Sequence, residues 1–191
     1  LTLAGLPKRP LCYIDGGAFD GDSLLQLAAS HPVAQAYLFE PDPENYRQLA
    51  NRLQSASFPV LCLPLGLMNA YQLLSFSGGQ GEGGNLNDTG NIHVACTALD
   101  SVLPNMAVDF IKLDIEGAEI PALQGARRLI QRYRPTMALS LYHRPDDLWA
   151  IPAALDDIYP GYRLFIRQHY FNSFDCVLYA IPGDAPHGVQ S

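Results

Sequence analysis

Basic residues are scarce in this chain. Lys and Arg number 12 against 19 Asp and Glu, a net charge of −7. An acidic chain without a basic stripe lacks the electrostatic footprint of a nucleic-acid binder or of a protein held on anionic lipid, so neither partner is expected. No apolar run approaches the roughly 18 residues needed to span a bilayer, so no stable membrane insertion is expected. Cysteine is sparse as well: Cys12, Cys62, Cys96 and Cys176 lie far apart, with no C-x-x-C pair. Each falls in an apolar stretch, so buried free thiols are expected in place of a disulfide framework or a zinc site. Internal repeats are absent. No secretory leader is visible, which leaves the cytoplasm as the default location. The chain begins at Leu1 and not at methionine, as a fragment or a trimmed chain would. No feature of the pattern bears on oligomeric state.

What is present reads as one globular domain. The 191 residues are 48% hydrophobic and 16% charged, enough apolar surface for a core without staples. Strand-like runs alternate with helical patterns, which predicts βαβ units and a mostly parallel α/β sheet. Strands are expected at 11–14, 36–39 and 58–65, with helices between them. Asp22 is placed to cap the first helix, and Asp42-Pro43 is a strong start for the second. Strands at 73–76 and 93–99 flank a loop that carries Gly78, Gly79, Gly81, Gly83, Gly84 and Gly90. That loop reads as a hairpin tip or as a lid. A central strand at 108–113, a helix at 117–133, a strand at 137–142 and a helix at 147–159 follow. Runs at 162–169 and 176–181 read as an antiparallel pair at one edge.

In such a sheet the ligand sits beyond the carboxyl ends of the strands, where the strand order reverses. The first strand ends in Asp15-Gly16-Gly17-Ala18-Phe19-Asp20-Gly21, a glycine-bearing loop that lets a ligand approach the backbone. Glu40 ends the second strand, 25 residues after Asp15, near the spacing of about 20 at which an acid accepts from ribose hydroxyls. Loop and acid together point to an adenosine-containing cofactor. Ala18 interrupts the G-x-G-x-x-G pattern of a pyrophosphate site, and the carboxylates of Asp15 and Asp20 would repel a pyrophosphate. S-adenosylmethionine, with a sulfonium and an ammonium, tolerates them better. A degenerate nicotinamide-dependent oxidoreductase and a non-catalytic cofactor-binding module are the competing readings.

Three segments carry a family likeness: Asp15 to Ser23, then Phe39-Glu40-Pro41, then Asp114-Ile115-Glu116-Gly117-Ala118-Glu119. With Ala98-Leu99-Asp100, they resemble the FkbM family of class I S-adenosylmethionine-dependent methyltransferases. The chain departs in having Phe19 where many members place Asn. The resemblance implies a Rossmann-like methyltransferase domain over 1–191. Within it, 11–66 is a cofactor-binding half, 67–99 a hairpin insertion and 100–191 an acceptor-side half. It also implies cofactor contacts from Asp15, Gly16, Gly17, Ala18, Phe19, Gly21, Ser23, Phe39, Glu40, Gly66 and Asp114. The expected reaction is O-methylation of a sugar, glycolipid or natural-product hydroxyl.

A hydroxyl acceptor loses its proton on methylation, so a general base helps by roughly 10²–10⁴-fold. His143, just past the fifth parallel strand, is the first candidate, and its ordinary pKa near 6.5 suits the task. His169 is the second, at the end of a strand whose direction the sequence does not fix. Asp114 and Glu116 are expected to orient the acceptor or accept from the cofactor ammonium. With a histidine they make an incomplete set for a divalent ion, so no metal site is expected. Glu119 reads as a helix N-terminal charge, and Lys112 as a strand residue facing a neighbour.

Overall fold

A computed structural model describes residues 6–77, 85–86, 92–169 and 175–183. The first half runs β1 (Leu11–Gly16), α1 (Asp22–Ser30), β2 (Val33–Phe39), α2 (Pro43–Arg52) and β3 (Val60–Leu63). A small sheet follows, from β4 (Gly66–Leu67), β5 (Gln72–Ser77), β6 (Asn85–Leu86) and β7 (Ile92–Thr97). The chain then passes through α3 (Leu99–Val102), β8 (Phe110–Leu113), α4 (Glu119–Gly125), α5 (Arg127–Tyr133) and β9 (Thr136–Ser140). It closes with α6 (Asp147–Ile158), β10 (Tyr162–Gln168) and β11 (Cys176–Pro182).

The main sheet has seven strands in the order β10-β11-β9-β8-β1-β2-β3. β3, β2, β1, β8 and β9 are parallel, and β11 is antiparallel to both β9 and β10. β10 therefore runs parallel to β9, and its last residues reach the same rim. β1 lies between β2 and β8, so the order reverses there and a crevice opens beyond their carboxyl ends.

Both faces of the sheet are apolar, as strands covered on two sides require. Ile14, Ile111, Met137, Leu139 and Leu178 pack on one face against Leu123, Ile130, Ile151 and Leu155 of the later helices. Tyr13, Phe110, Ala138 and Tyr179 face the other side, in the cluster that holds Leu24, Leu27 and Leu49. Leu155 is fully buried, and its truncation to alanine would cost about 2–5 kcal/mol. All four cysteines are free; Cys96 is buried and the other three are half-buried in their strands.

The structure corrects several expectations. Asp22 is the first residue of α1 and not its cap; Gly21 occupies that place with φ 83°, and Asp20 Oδ1 accepts from the Asp22 N–H at 3.1 Å. Asp42 does cap α2, accepting from the N–H groups of Glu44 and Asn45. The third strand is shorter than expected, bounded by Pro59 and Pro64. Gly66 and Leu67 leave it to pair with β7 in the small sheet. The helix expected over 117–133 breaks at Ala126 into α4 and α5. Gly125 ends α4 in close contact with the small sheet: a Cβ there would stand 2.1 Å from the Met68 carbonyl oxygen. The Asp100 carboxylate caps α5 from outside, accepting from the N–H groups of Arg128 and Leu129 at 2.9 Å each. Pro121 sits in the first turn of α4, where its missing donor costs little. Most of the glycine-rich loop lies outside the described residues, and so does its reading as a lid. Among the described residues no helix is long and apolar enough to cross a membrane.

Candidate active site

The crevice is a cavity of about 860 Å³ between the first loop, the end of β2 and the end of β8. Of the sequence-derived site residues, Gly17, Phe19, Ser23, Phe39, Glu40, Gly66, Asp114 and Glu116 line it. Asp15, Gly16, Ala18, Gly21 and His143 stand behind the lining.

One end is built by the loop after β1. The Gly17 and Ala18 N–H groups both donate to the Phe39 carbonyl, at 3.0 and 3.1 Å. Gly17 has φ +73°, and a Cβ there would lie 1.9 Å from the Asp114 carbonyl oxygen, so only glycine fits. Glu40 Oε2 accepts from the Phe19 N–H at 2.9 Å, and Oε1 accepts from the Asp42 N–H at 3.0 Å. The Glu40 carboxylate thus fixes the first loop and the start of α2 at once. Burial pushes the Glu40 carboxyl above its ordinary pKa, opposed by the backbone hydrogen bonds from Asp42 and Phe19. Phe19 itself sits at φ 48°, a left-handed conformation that Asn adopts more readily than Phe.

The other end is built by β8, β9 and β11. Lys112 Nζ lies 3.3 Å from Asp15 Oδ1 and 3.7 Å from Asp114 Oδ2. Asp15 is fully buried and also accepts from the Tyr13 hydroxyl at 2.9 Å. Burial favours the neutral amine, but the charges of Asp15 and Asp114 outweigh it and hold Lys112 protonated. Asp114 accepts from the Tyr142 hydroxyl at 2.9 Å. Burial pushes its carboxyl up, yet Lys112, Ser140 and His143 together set its pKa below the ordinary value. Lys112 and Tyr142 also line the cavity, which the sequence pattern does not mark. A lysine inside the apolar run Phe110-Ile111-Lys112-Leu113 was the one available signal.

The two histidines differ in place. The His143 side chain is 6% exposed; its Nδ1 lies 2.9 Å from Glu119 Oε1, and its Nε2 faces Asp114 at 3.4 Å and Glu116 at 3.8 Å. Burial pushes its pKa down, but the hydrogen bond and charge of Glu119, then Asp114 and Glu116, raise it above the ordinary value. Glu119 is buried, and its Oε1 also accepts from the Ile115 N–H at 2.9 Å. It therefore braces the turn that carries Asp114 and Glu116, a role beyond helix-end charge. His169 follows β10, lines the cavity and lies 2.8 Å from the Tyr179 hydroxyl. Burial and the Arg167 charge lower its pKa, which keeps the ring neutral at pH 7.

Seven strands with one antiparallel member, and a cavity at the reversal point lined by a glycine loop and a strand-end acid, are the features of the class I methyltransferase fold. The family model of the methyltransferase FkbM domain matches residues 15–178, and the chain belongs to that family. A search of curated proteins finds no match. The structure is similar to that of methyltransferase FkbM from Methylobacillus flagellatus KT, with TM-score 0.76 and 27% identity. The match covers 90% of this chain and 43% of that one, so the chain spans less than half the length of this relative. Fibrillarin of Aeropyrum pernix, solved with S-adenosyl-L-methionine, shares the fold at TM-score 0.57 and 13% identity, over 94% of this chain and 70% of that one. An rRNA methylase from Streptococcus thermophilus does so at TM-score 0.57 and 12% identity, over 94% and 90% of the two chains. The nicotinamide and non-catalytic readings are not favoured by these findings.

Proposed function

We propose that this chain is the catalytic domain of an S-adenosylmethionine-dependent O-methyltransferase acting on a small molecule or a glycan. One observation carries the reading: a single cavity joins the glycine loop and Glu40 at one end to Asp114, Lys112, Tyr142 and His169 at the other. The first end suits a nucleoside, with the ribose hydroxyls donating to Glu40 and the backbone of Gly17 close to the ligand. Asp114 and Glu116 suit the cationic methionine end.

Methyl transfer to oxygen is an in-line displacement at the sulfonium. When bound, S-adenosylmethionine would supply an electrophilic methyl group and a thioether leaving group, and the acceptor hydroxyl would give up its proton to a base of this chain. The leaving group is good, so holding acceptor and methyl in line supplies most of what is needed, about 7–11 kcal/mol. Asp114 stays ionised and orients the hydroxyl. His169, neutral and open to the cavity, takes the proton. His143 acts from behind as a positioning residue, through Asp114 and Glu116.

The test is an assay with isotopically labelled S-adenosylmethionine against a panel of sugars, glycolipids and hydroxylated metabolites, with the product read by NMR. A new O–CH₃ signal supports the reading. Transfer only to nitrogen or carbon acceptors would overturn the O-methylation.

A further inference from the structure

Behind the cavity, three side chains from separate segments converge. Glu119 opens α4, His143 follows β9, and Asp147 opens α6. One ligand atom from each lies within 4.8 Å of the other two. We propose that Glu119, His143 and Asp147 bind a divalent transition ion of the Zn²⁺ or Mn²⁺ type.

Charge is the first argument. Glu119 is 1% exposed and Asp147 is 2% exposed. Among the described residues, His143 alone forms an ion pair with Glu119, and no lysine or arginine pairs with either acid. Two buried carboxylates beside one imidazole need a counter-charge, because an uncompensated buried charge costs several kcal/mol. A divalent cation with both acids ionised and the imidazole neutral balances to zero.

Unused coordination is the second, independent argument. Glu119 Oε2 is buried with no hydrogen-bond partner, although Oε1 has two. His143 Nε2 is likewise buried without one, and it faces Asp114 Oδ1 at 3.4 Å. A metal-bound imidazole commonly turns its other N–H to a carboxylate, which fixes the ring. With the ion on the nitrogen facing Glu119, His143 would present that N–H to Asp114.

The ligand types choose the ion. An imidazole with two carboxylates suits Zn²⁺ or Mn²⁺, whereas Mg²⁺ and Ca²⁺ favour oxygen alone. Two bonds of about 2.2 Å span at most about 4.4 Å, so the spread of up to 4.8 Å must close by a few tenths of an ångström. The ion would brace Glu119, and through the Ile115 N–H the turn that carries Asp114 and Glu116. This site stands apart from the methyl-transfer reading and is measured without turnover.

The experiment uses the purified chain stripped with a chelator, then titrated with Mn²⁺ by paramagnetic resonance and calorimetry, and with Zn²⁺ by thermal shift. Mn²⁺ avoids the four thiols, which take Zn²⁺ more readily. We expect one equivalent of Mn²⁺ bound, a raised melting temperature with either ion, and loss of affinity by roughly tenfold or more in Asp147→Asn. That variant keeps an oxygen for the Arg144 N–H, which Asp147 Oδ2 accepts at 2.7 Å. His143→Gln should lose the ion as well, and Asp146→Asn should keep it. Absence of Mn²⁺ binding by the wild type would overturn the proposal, as would wild-type affinity in both Asp147→Asn and His143→Gln. A shared proton would then occupy the cluster, and the methyltransferase reading would stand unaffected.

Discussion

The Glu40 carboxylate accepts a 2.9 Å hydrogen bond from the Phe19 backbone N–H, which ties the end of β2 to the loop after β1. Two segments that meet only in the fold are thus set at fixed distance around the cavity. Glu40→Ala removes that tie and the proposed ribose acceptor together. It is expected to weaken S-adenosylmethionine binding by about 1–3 kcal/mol, the cost of losing charge-assisted hydrogen bonds. Calorimetry on a variant with wild-type circular dichroism checks it, and an unchanged dissociation constant would remove Glu40 from the site.

The same residue sets a pH dependence. Burial holds the Glu40 carboxyl above its ordinary 4.5, whereas Asp114 lies below its own ordinary value. Only ionised Glu40 accepts from both ribose hydroxyls. Affinity should therefore fall as pH drops through a range above that of an ordinary glutamate, while Asp114 is still charged. Glu40→Ala should lack this acid limb.

Lys112 and Asp15 form a buried ion pair across β8 and β1. Lys112→Met strands the Asp15 carboxylate in the interior and should cost about 3 kcal/mol, toward the low end for such a pair since Lys112 is 22% exposed. Adding Asp15→Asn should recover much of the loss. Urea unfolding of the two variants measures both, and a single-variant cost under about 1 kcal/mol would show that the pair is not coupled as described.

Gly17→Ala places a methyl group against the Asp114 carbonyl at a φ that alanine resists. The strain is of order 1–3 kcal/mol even after relaxation. Cofactor affinity should drop at least as far as in Glu40→Ala, because the loop itself moves. Wild-type binding by Gly17→Ala would mean that the loop does not touch the ligand.

Asp100→Ala offers a control away from the cavity. It removes the outside cap of α5 and should destabilise the chain by about 0.5–2 kcal/mol in thermal unfolding. Cofactor affinity of the folded variant should not change.

Much of this arrangement was legible in the sequence. The alternation of apolar runs with capped helical patterns gives the parallel sheet, and Asp42-Pro43 marks the start of α2 because capping is local chemistry. Glu40 and the glycine loop could be placed in one cavity because the fold rule for α/β sheets brings strand ends together. The α4–α5 break was not legible, because the apolar stripe of Ile120, Leu123, Ala126 and Ile130 runs through it without interruption. Lys112 reads as a strand residue in the sequence, because its partner Asp15 lies 97 positions away. The direction of β10, which brings His169 to the rim, depends on β11 lying between β9 and β10. Glu119, His143 and Asp147 read separately as a helix end, a candidate base and a helix start; only the packing of α4 beside α6 joins them.

A crystal structure with S-adenosylhomocysteine tests the central claim most directly. The ribose hydroxyls should lie within hydrogen-bond distance of the Glu40 carboxylate, with the adenosine beside the Phe19 loop and the homocysteine directed toward Asp114. A nucleoside bound elsewhere, or a cavity left vacant at saturating ligand, would contradict it.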